Sequence, residues 1–217
     1  MRKLILIIAI AIFLTSCEDS VESPISDNSN AKPLMPLELN NQWVYEDHLD
    51  NEPIVYCVDS VFTYTHQDSQ IEMFSIRYRL GKGIYEHLFY YYGGSLNRTL
   101  PWRIEPDGPE YCFKYPVETG DQWTNEYHFL GYYYYIDEYT LVSKNARVTV
   151  PARRFYCYDY RIDRTVVRSD TTYSYSMNYY FEPGIGLVAV KRIRNDPYNP
   201  YNITEVWERK LISYSLE

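Results

Sequence analysis

The feature that most constrains the fold is a strict two-residue alternation in residues 171–181. Large side chains occupy every second position and small polar ones occupy the positions between them: Tyr173, Tyr175, Met177, Tyr179 and Phe181 against Thr172, Ser174, Ser176 and Asn178. Successive side chains of a β-strand point to opposite faces of the sheet, whereas a helix would scatter this pattern around its axis. The segment is therefore predicted to be a strand with one face turned away from water.

The same alternation recurs in three other segments. Residues 54–64 and 72–80 each place large side chains on one face, and in the second of these Phe74, Ile76 and Tyr78 oppose Ser75, Arg77 and Arg79. Around residue 158, Tyr156, Tyr158, Tyr160 and Ile162 share one predicted face. These segments are typical of half-buried strands.

Turn signals separate the alternating segments at hairpin spacing, among them Gly93-Gly94 and Pro183-Gly184. The pattern predicts about eleven or twelve strands and no helix. Sequential hairpins with one buried face favour an antiparallel meander, and a sheet with that many strands tends to curl. The predicted fold is all-β, a meander curled into a half-barrel or a calycin-like barrel, with a β-sandwich as the alternative.

Tyrosine is unusually abundant: the chain contains 26 tyrosines, and none precedes Tyr45. A buried tyrosine still needs a hydrogen-bond partner for its hydroxyl. Two interpretations remain open for the tyrosine-bearing faces. Either they form the core, with hydroxyls that reach its rim, or they stack on an apolar or glycan ligand at a concave surface. The candidate ligand-binding residues are Tyr173, Tyr175, Tyr179, Tyr156, Tyr158 and Tyr160.

The first residues have the pattern of an export signal. Arg2 and Lys3 precede an apolar run over residues 4–14, which is shorter than the roughly 20 residues that a spanning helix needs. The sequence Leu14-Thr15-Ser16-Cys17 resembles the bacterial lipobox. That resemblance implies removal of residues 1–16 and attachment of diacylglycerol and a further acyl chain, such as palmitate, to Cys17. The membrane is then a partner of the chain through Cys17.

Residues 17–35 are rich in Ser, Asp, Asn and Pro, a composition that indicates a flexible tether. Residues 36–217 show no change in composition that would mark a second domain, and they are predicted to form a single β domain. Glu18-Asp19 resembles the acidic export tag of outer-membrane lipoproteins in Bacteroidota. This resemblance favours a lipid anchor in the outer membrane with the domain on the cell surface rather than in the periplasm.

Three further segments resemble a family of uncharacterised exported lipoproteins that is common in Bacteroidota. That family's domain begins with Pro-Leu-x-x-Gly-Asn-x-Trp-x-Tyr, carries Pro-Ala-Gly-x-Phe before a strand rich in tyrosine, and ends with Pro-Gly-Val-Gly-Leu-Val. The matching segments here are residues 36–45, 150–155 and 181–188, in which Asn40 and Arg153 replace two of the family's glycines. All three motifs are turns that begin strands, so the resemblance implies a shared fold and no chemistry.

Charge and motifs narrow the possible functions. The formal net charge is −8 and becomes more negative when Arg2 and Lys3 leave with the signal, which argues against a nucleic-acid partner. The four histidines, His48, His66, His87 and His128, have no metal-ligand spacing, and no nucleophile motif is present.

From these observations we predict no catalytic residues, no metal and no cofactor. The predicted function is a non-enzymatic envelope lipoprotein that binds a ligand, with an adaptor that docks on another envelope protein, or a carboxylate-based hydrolase, as alternatives.

Two further patterns leave alternatives open. Cys57, Cys112 and Cys157 are predicted to be buried free thiols, with one disulfide and one free thiol as the alternative.

A short sequence pattern occurs twice in the chain. The segments at residues 36–43 and 116–123 match as Pro, aliphatic, Glu, any residue, Asn or Gly, Asn or Asp, Gln, Trp. We interpret this match as reuse of one tight turn, and duplication of a half-domain of about 80 residues is the alternative.

Overall fold

The computed structural model describes residues 32–47, 52–66, 68–80, 83–101, 109–129, 132–195 and 203–217. Twelve strands form in this part of the chain: β1 (Gln42–Asp47), β2 (Ile54–His66), β3 (Ser69–Leu80), β4 (Gly83–Tyr92), β5 (Ser95–Thr99), β6 (Tyr111–Lys114), β7 (Gln122–Phe129), β8 (Tyr133–Thr149), β9 (Arg154–Arg168), β10 (Thr171–Glu182), β11 (Gly186–Asn195) and β12 (Ile203–Ser215). No helix is present among the described residues.

The strands form one antiparallel sheet in the order β6-β5-β4-β3-β2-β1-β12-β11-β10-β9-β8-β7. Each strand pairs with its sequence neighbours, except that β6 does not pair with β7. The pairing of β1 with β12 joins two six-stranded meanders. The edge strands β6 and β7 come near each other, and the sheet is a nearly closed barrel. The all-β prediction and the curled meander are confirmed, and the alternative of two packed sheets is wrong.

The gap between β6 and β7 is bridged by side chains instead of a β-ladder. Trp123 Nε1 donates to the Cys112 carbonyl at 2.9 Å, and Asn125 Nδ2 donates to the Pro109 carbonyl at 2.8 Å. On the same edge strand, the Cys112 amide donates to the Tyr139 hydroxyl at 3.2 Å. These bonds satisfy backbone groups that an edge strand would otherwise leave without partners.

The two ends of the barrel differ, and we name them by the segments that they carry. The lower end carries residues 33–41 and the β10–β11 turn, where the Gly184 amide donates to the Pro33 carbonyl at 2.7 Å. Leu34 and Met35, at the end of the predicted tether, are buried there. The upper end carries the β7–β8 and β9–β10 turns. Strand β1 therefore runs upward from Trp43 to Asp47.

Aromatic rings fill the lower half of the barrel interior. The Phe113 ring on β6 lies 4.9 Å from Phe181, 5.4 Å from Tyr160 and 5.8 Å from Tyr139, measured between ring centroids. Tyr160 and Tyr139 are buried, and their hydroxyls still have partners because Tyr160 donates to the Lys114 carbonyl and Tyr139 accepts from the Cys112 amide. Burial of such rings is the main stabilising contribution of this region.

The repeated turn has the same backbone hydrogen bonds at both places. Ahead of β1, Asn40 has a φ of 70° and its amide donates to the Val58 carbonyl at 2.9 Å. Ahead of β7, Gly120 has a φ of 94° and its amide donates to the Leu141 carbonyl at 2.8 Å. Each turn begins a six-stranded meander and places a tryptophan second in its first strand. The correspondence therefore extends beyond the turn, which favours duplication over our interpretation of simple turn reuse.

Two predicted faces differ from the structure, one on β9 and one on β2. The predicted face of β9 grouped Tyr156 with Tyr160 and Ile162, but Tyr156 is 56% exposed while its neighbours Phe155 and Cys157 are buried. The alternation in residues 54–64 placed Ile54, Tyr56, Val58 and Phe62 on one face, but Phe62 is exposed while the other three are buried. The pairing of β2 with β3 shifts register between Val58 and Ser60. Such a bulge adds one residue to the strand and moves every later side chain to the opposite face.

The three cysteines of the barrel, Cys57, Cys112 and Cys157, are free thiols. Cys157 is buried, which raises the pKa of its thiol to about 12, and the other two are half-buried. The predicted lipid site Cys17, with the signal segment and most of the tether, lies outside the described residues. In the part of the chain that is described, no helix is long and apolar enough to cross a membrane.

Candidate functional site

The six tyrosines selected from the sequence lie at different heights on β9 and β10, and Tyr156 faces solvent between the buried Phe155 and Cys157. Tyr160 and Tyr179 belong to the packed interior. Tyr156 and Tyr158 lie toward the lower end, where Tyr156 is 56% exposed and Tyr158 packs against Tyr115. Tyr173 and Tyr175 lie at the upper end, with ring centroids 6.3 Å apart and nearly parallel planes. The structure thus brings together Tyr173 and Tyr175 and separates them from the other four.

A group of aromatic side chains surrounds the upper end, and we call it the aromatic rim: Phe129, Tyr132, Tyr133, Tyr135, Tyr173 and Tyr175. Tyr133 and Phe129 both lie 6.2 Å from the Tyr135 ring, and Tyr127 stacks on Tyr135 from below at 4.9 Å. Tyr132 is 77% exposed and Tyr173 is 38% exposed. The rim therefore presents several ring faces and edges to solvent.

A groove of about 730 Å³ opens on the β7–β8 side of the rim. Its lining contains four aromatic rings, one cation and two small or aliphatic residues: His128, Tyr132, Tyr133, Tyr134, Arg168, Val167 and Ser169. The Arg168 guanidinium carbon lies 5.7 Å from the Tyr133 ring centroid. The lining is about equally polar and apolar, and the groove is open to solvent rather than enclosed.

Directly below the rim, Arg164 on β9 and Asp137 on β8 form a buried ion pair. Arg164 Nε and Nη2 donate to the two carboxylate oxygens of Asp137, each at 2.6 Å. Arg164 Nη1 also reaches the hydroxyls of Tyr111 at 3.3 Å and Tyr175 at 3.5 Å. Burial raises the pKa of Asp137, while the hydrogen bonds from Arg164 oppose that shift. The bidentate geometry holds Arg164 in a fixed position under Tyr175.

Three more arginines surround the interior at or near this height, and each contacts a carboxylate and a tyrosine ring. Arg98 contacts Glu110 at 3.1 Å, Arg192 contacts Glu208 at 3.0 Å, and Arg209 contacts Asp47 at 3.2 Å. Their guanidinium carbons lie 4.1 Å from the Tyr111 ring, 4.1 Å from Tyr175 and 5.4 Å from Tyr56, respectively. Together with Arg164 we call these residues the arginine layer. Cation–π contacts of this kind add to the ion pairs.

His87 lies beside the arginine layer and is neutral. Its Nε2 is 3.9 Å from Glu110 Oε2, but burial together with the nearby Arg98 and Arg209 lowers the pKa of His87 to about 2. The contact with Glu110 is therefore not an ion pair at neutral pH. The same region raises the pKa of tyrosines: burial and the neighbouring Tyr175 and Tyr173 raise the pKa of Tyr135 to about 12.

The sequence analysis did not select the residues that dominate the rim. Residues 132–135 are four consecutive tyrosines, so they interrupt the two-residue alternation and send rings to both faces. Such a run at the start of a strand is itself the signal that could have identified the rim. The arginine layer gave no comparable signal, because Arg164 and Asp137 are 27 positions apart and meet only through the register of β8 with β9.

The described residues contain no group of three or more His, Cys, Asp or Glu side chains that could hold a metal ion. His128 is exposed on the outer side of the rim, 4.8 Å from the Tyr134 ring, and His87 faces the interior. His48 lies outside the described residues.

Comparison with known proteins shows a similarity of fold and gives no information about function. No protein-family model matches the chain, and no curated protein matches it. One similar solved structure is a protein from Parabacteroides distasonis that is provisionally named a lipoprotein. The similarity covers 86% of this chain and 100% of that protein, with 14% identity and a TM-score of 0.56. A provisionally named exported protein with a YmcC-like fold from Bacteroides fragilis covers the same shares, with 13% identity and a TM-score of 0.49.

Proposed function

We propose that this chain is a non-enzymatic lipoprotein of the bacterial cell envelope that binds a glycan at the aromatic rim. The single observation that carries the proposal is the set of partly exposed rings, Tyr132, Tyr133 and Tyr173, beside a groove of about 730 Å³ at the open end of the barrel. Rings at a wet surface keep their hydroxyls hydrogen-bonded to water while their faces stay available for stacking.

A glycan suits this surface better than a purely apolar ligand. The rings would stack on the C–H faces of sugar rings, and polar groups beside them would bind hydroxyls. Arg168 and Ser169 line the same groove together with Tyr133 and Tyr134. Aromatic walls with a few polar groups that fix orientation are the usual composition of such sites.

The arginine layer supports the proposal by holding the rim rigid. Arg164 reaches the Tyr175 hydroxyl, and Arg192 lies against the Tyr175 ring at 4.1 Å. Tyr175 in turn stacks on Tyr173. A preorganised stacking surface loses less conformational entropy when a ligand binds.

A lipid anchor at Cys17 is compatible with a ligand site at the aromatic rim. The sequence pattern at Cys17 supports lipidation, and its acidic neighbours support an outer-membrane anchor that faces the cell surface. The described chain begins at Lys32, next to the lower end of the barrel, so the tether joins the barrel at the end opposite the rim. Replacement of Cys17 by Ala should abolish incorporation of labelled palmitate and release the protein from membranes.

The alternative of an adaptor protein requires an unpaired sheet edge or a flat apolar face. On the edge strand β6, the Cys112 amide and carbonyl bond to the side chains of Tyr139 and Trp123, which leaves less of this edge free to pair with a partner. A co-purifying envelope protein that survives the loss of the rim tyrosines would favour the adaptor over glycan binding.

The test is a glycan array with bacterial and host polysaccharides, probed with the mature chain that carries Cys17→Ser. Replacement of Tyr133 and Tyr173 by Ala should reduce affinity for the best ligand at least tenfold, because each variant removes a stacking ring. Tyr156→Ala is the matched control, since it removes an exposed tyrosine at the lower end. Equal binding by all variants, or loss of binding in Tyr156→Ala alone, would contradict the proposal.

A further inference from the structure

A small cavity lies inside the barrel, between the aromatic packing of the lower half and the arginine layer. Its volume is about 40 Å³, and its lining comes from nine of the twelve strands and from Met35. One water molecule needs about 10–15 Å³, so this cavity can hold only a few waters or one solute of a few heavy atoms. It is much smaller than the groove beside the rim and separate from it.

The charge of the cavity wall is positive. Among the described residues that line it, two are arginines, Arg98 and Arg209, and none is Asp or Glu. The carboxylates that pair with these arginines, Glu110 and Asp47, are not part of the wall. The remainder of the wall is aromatic or aliphatic apart from His87, and such surroundings screen charge weakly.

Arg98 has a hydrogen-bond donor that the protein leaves without a partner. Its Nη2 contacts Glu110 at 3.1 Å, but its Nε is buried and has no hydrogen-bond partner. A guanidinium carries five N–H donors, and a buried charged donor without an acceptor reduces stability. An acceptor in the adjacent cavity would remove this cost.

The protonation state of His87, which also lines the cavity, depends on the same two arginines. Burial is the main cause of the lowered pKa of His87, and the charges of Arg98 and Arg209 lower that pKa further. A field that opposes a cation favours an anion. The neutral imidazole also contributes an N–H group or a lone pair at the wall.

We propose that this cavity is a binding site for a small monovalent carboxylate, of the size of formate or acetate. Its oxygens accept hydrogen bonds from Arg98 Nε and from the Arg209 guanidinium, and its carbon end lies against the Phe113 and Phe181 rings. Planar carboxylates match the fork of a guanidinium better than spherical anions do. The site is independent of the aromatic rim, and either proposal can fail without the other.

The test measures thermal unfolding of the mature Cys17→Ser chain in increasing sodium formate at constant ionic strength. A ligand that binds only the folded state raises the midpoint as its concentration rises, which we expect at formate concentrations below ~100 mM. Sodium pivalate has the same charge but a branched carbon skeleton that exceeds the cavity. It should leave the midpoint unchanged.

Two variants assign the effect to Arg98. Arg98→Lys keeps the positive charge but removes Nε, and we expect at least tenfold weaker formate binding. Arg192→Lys is the matched control, because Arg192 also pairs with a carboxylate in the interior but does not line the cavity.

If Arg98→Lys folds poorly, the double variant Arg98→Met/Glu110→Gln removes both charges together. The midpoint of its thermal unfolding should then not change with formate concentration. Equal shifts with formate and pivalate, no shift at all, or undiminished binding in Arg98→Lys would overturn the site and leave a water-filled cavity.

Discussion

The lower and upper halves of the barrel interior use tyrosine in opposite ways. In the lower half, tyrosine rings pack on phenylalanine and their hydroxyls reach the backbone, as with Tyr160 and the Lys114 carbonyl at 2.9 Å and Tyr45 and the Leu187 carbonyl at 2.8 Å. In the upper half, the hydroxyl and the ring of Tyr175 both meet arginines. One residue type thus forms a dry core at one end and a charged, partly wet surface at the other.

The difference shows that height in the barrel, rather than facing direction, decides what a tyrosine does. Tyr160 and Tyr173 lie on paired strands and face the same side of the sheet. Tyr160 is completely buried, whereas Tyr173 is 38% exposed. The lower half should therefore dominate stability, and the upper half should carry the ligand chemistry. Four measurements can break or sharpen that division.

The largest expected effect is in the lower aromatic packing. Phe113→Ala removes the ring that contacts Tyr139, Tyr160 and Phe181 and leaves a cavity that the surrounding strands cannot fill. The free energy of unfolding should fall by about 3–5 kcal/mol in urea denaturation. A loss below about 1 kcal/mol would show that the lower half is not the dominant core.

The next effect concerns the ion pair beneath the rim. Arg164→Met leaves the buried Asp137 carboxylate without its partner and should reduce the free energy of unfolding by about 3 kcal/mol. Asp137→Leu added to Arg164→Met should recover most of that loss, because no buried charge then remains. Arg161→Met is the control: Arg161 lies on the same strand and pairs with Asp163 in solvent. Its expected change is below about 1 kcal/mol.

A smaller effect is expected from acid. The pKa of His87 is lower in the folded chain than in the unfolded one, so its contribution to stability is complete above the unfolded pKa and is lost as the pH falls toward about 2. Between pH 7 and pH 4.5 this one group should cost about 2.5 kcal/mol. His87→Gln should make the unfolding free energy less dependent on pH in that window. The exposed His128→Gln variant should keep the wild-type slope.

The smallest effect on stability is expected at the rim. Tyr173→Ala should change the free energy of unfolding by no more than about 1 kcal/mol, because its ring is partly exposed at the end of the barrel and stacks on Tyr175. Tyr160→Ala, on the neighbouring strand, should cost at least about 3 kcal/mol. Similar losses for the two variants, measured by the same denaturation, would remove the distinction between core and rim.

Much of the fold follows from local sequence pattern, since alternation and turn residues act over a few positions. The alternation at 171–181 is strand β10, and Phe74, Ile76 and Tyr78 share one face of β3 as predicted. The bulge after Val58 was not predictable, because the extra residue looks like any other in the alternating pattern.

The candidate site was much less accessible from sequence. Tyr173 and Tyr175 were selected, but Tyr156 was selected on the same grounds and lies at the opposite end. Pattern gives the facing direction of a side chain only where the strand has no bulge, and its height depends on strand register and on which segments cover each end. The burial of Leu34 and Met35 under the barrel is such a long-range contact, and so is the Arg164–Asp137 pair.

The most direct test of the division between core and surface is an NMR titration of the mature chain with ¹³C-labelled tyrosine. A glycan that binds should shift the ring signals of Tyr132, Tyr133, Tyr173 and Tyr175 and leave those of Tyr45, Tyr139 and Tyr160 unchanged. Shifts confined to Tyr156 and Tyr158 at the lower end, or the same shifts in core and rim rings, would contradict the assignment of the aromatic rim as the ligand site.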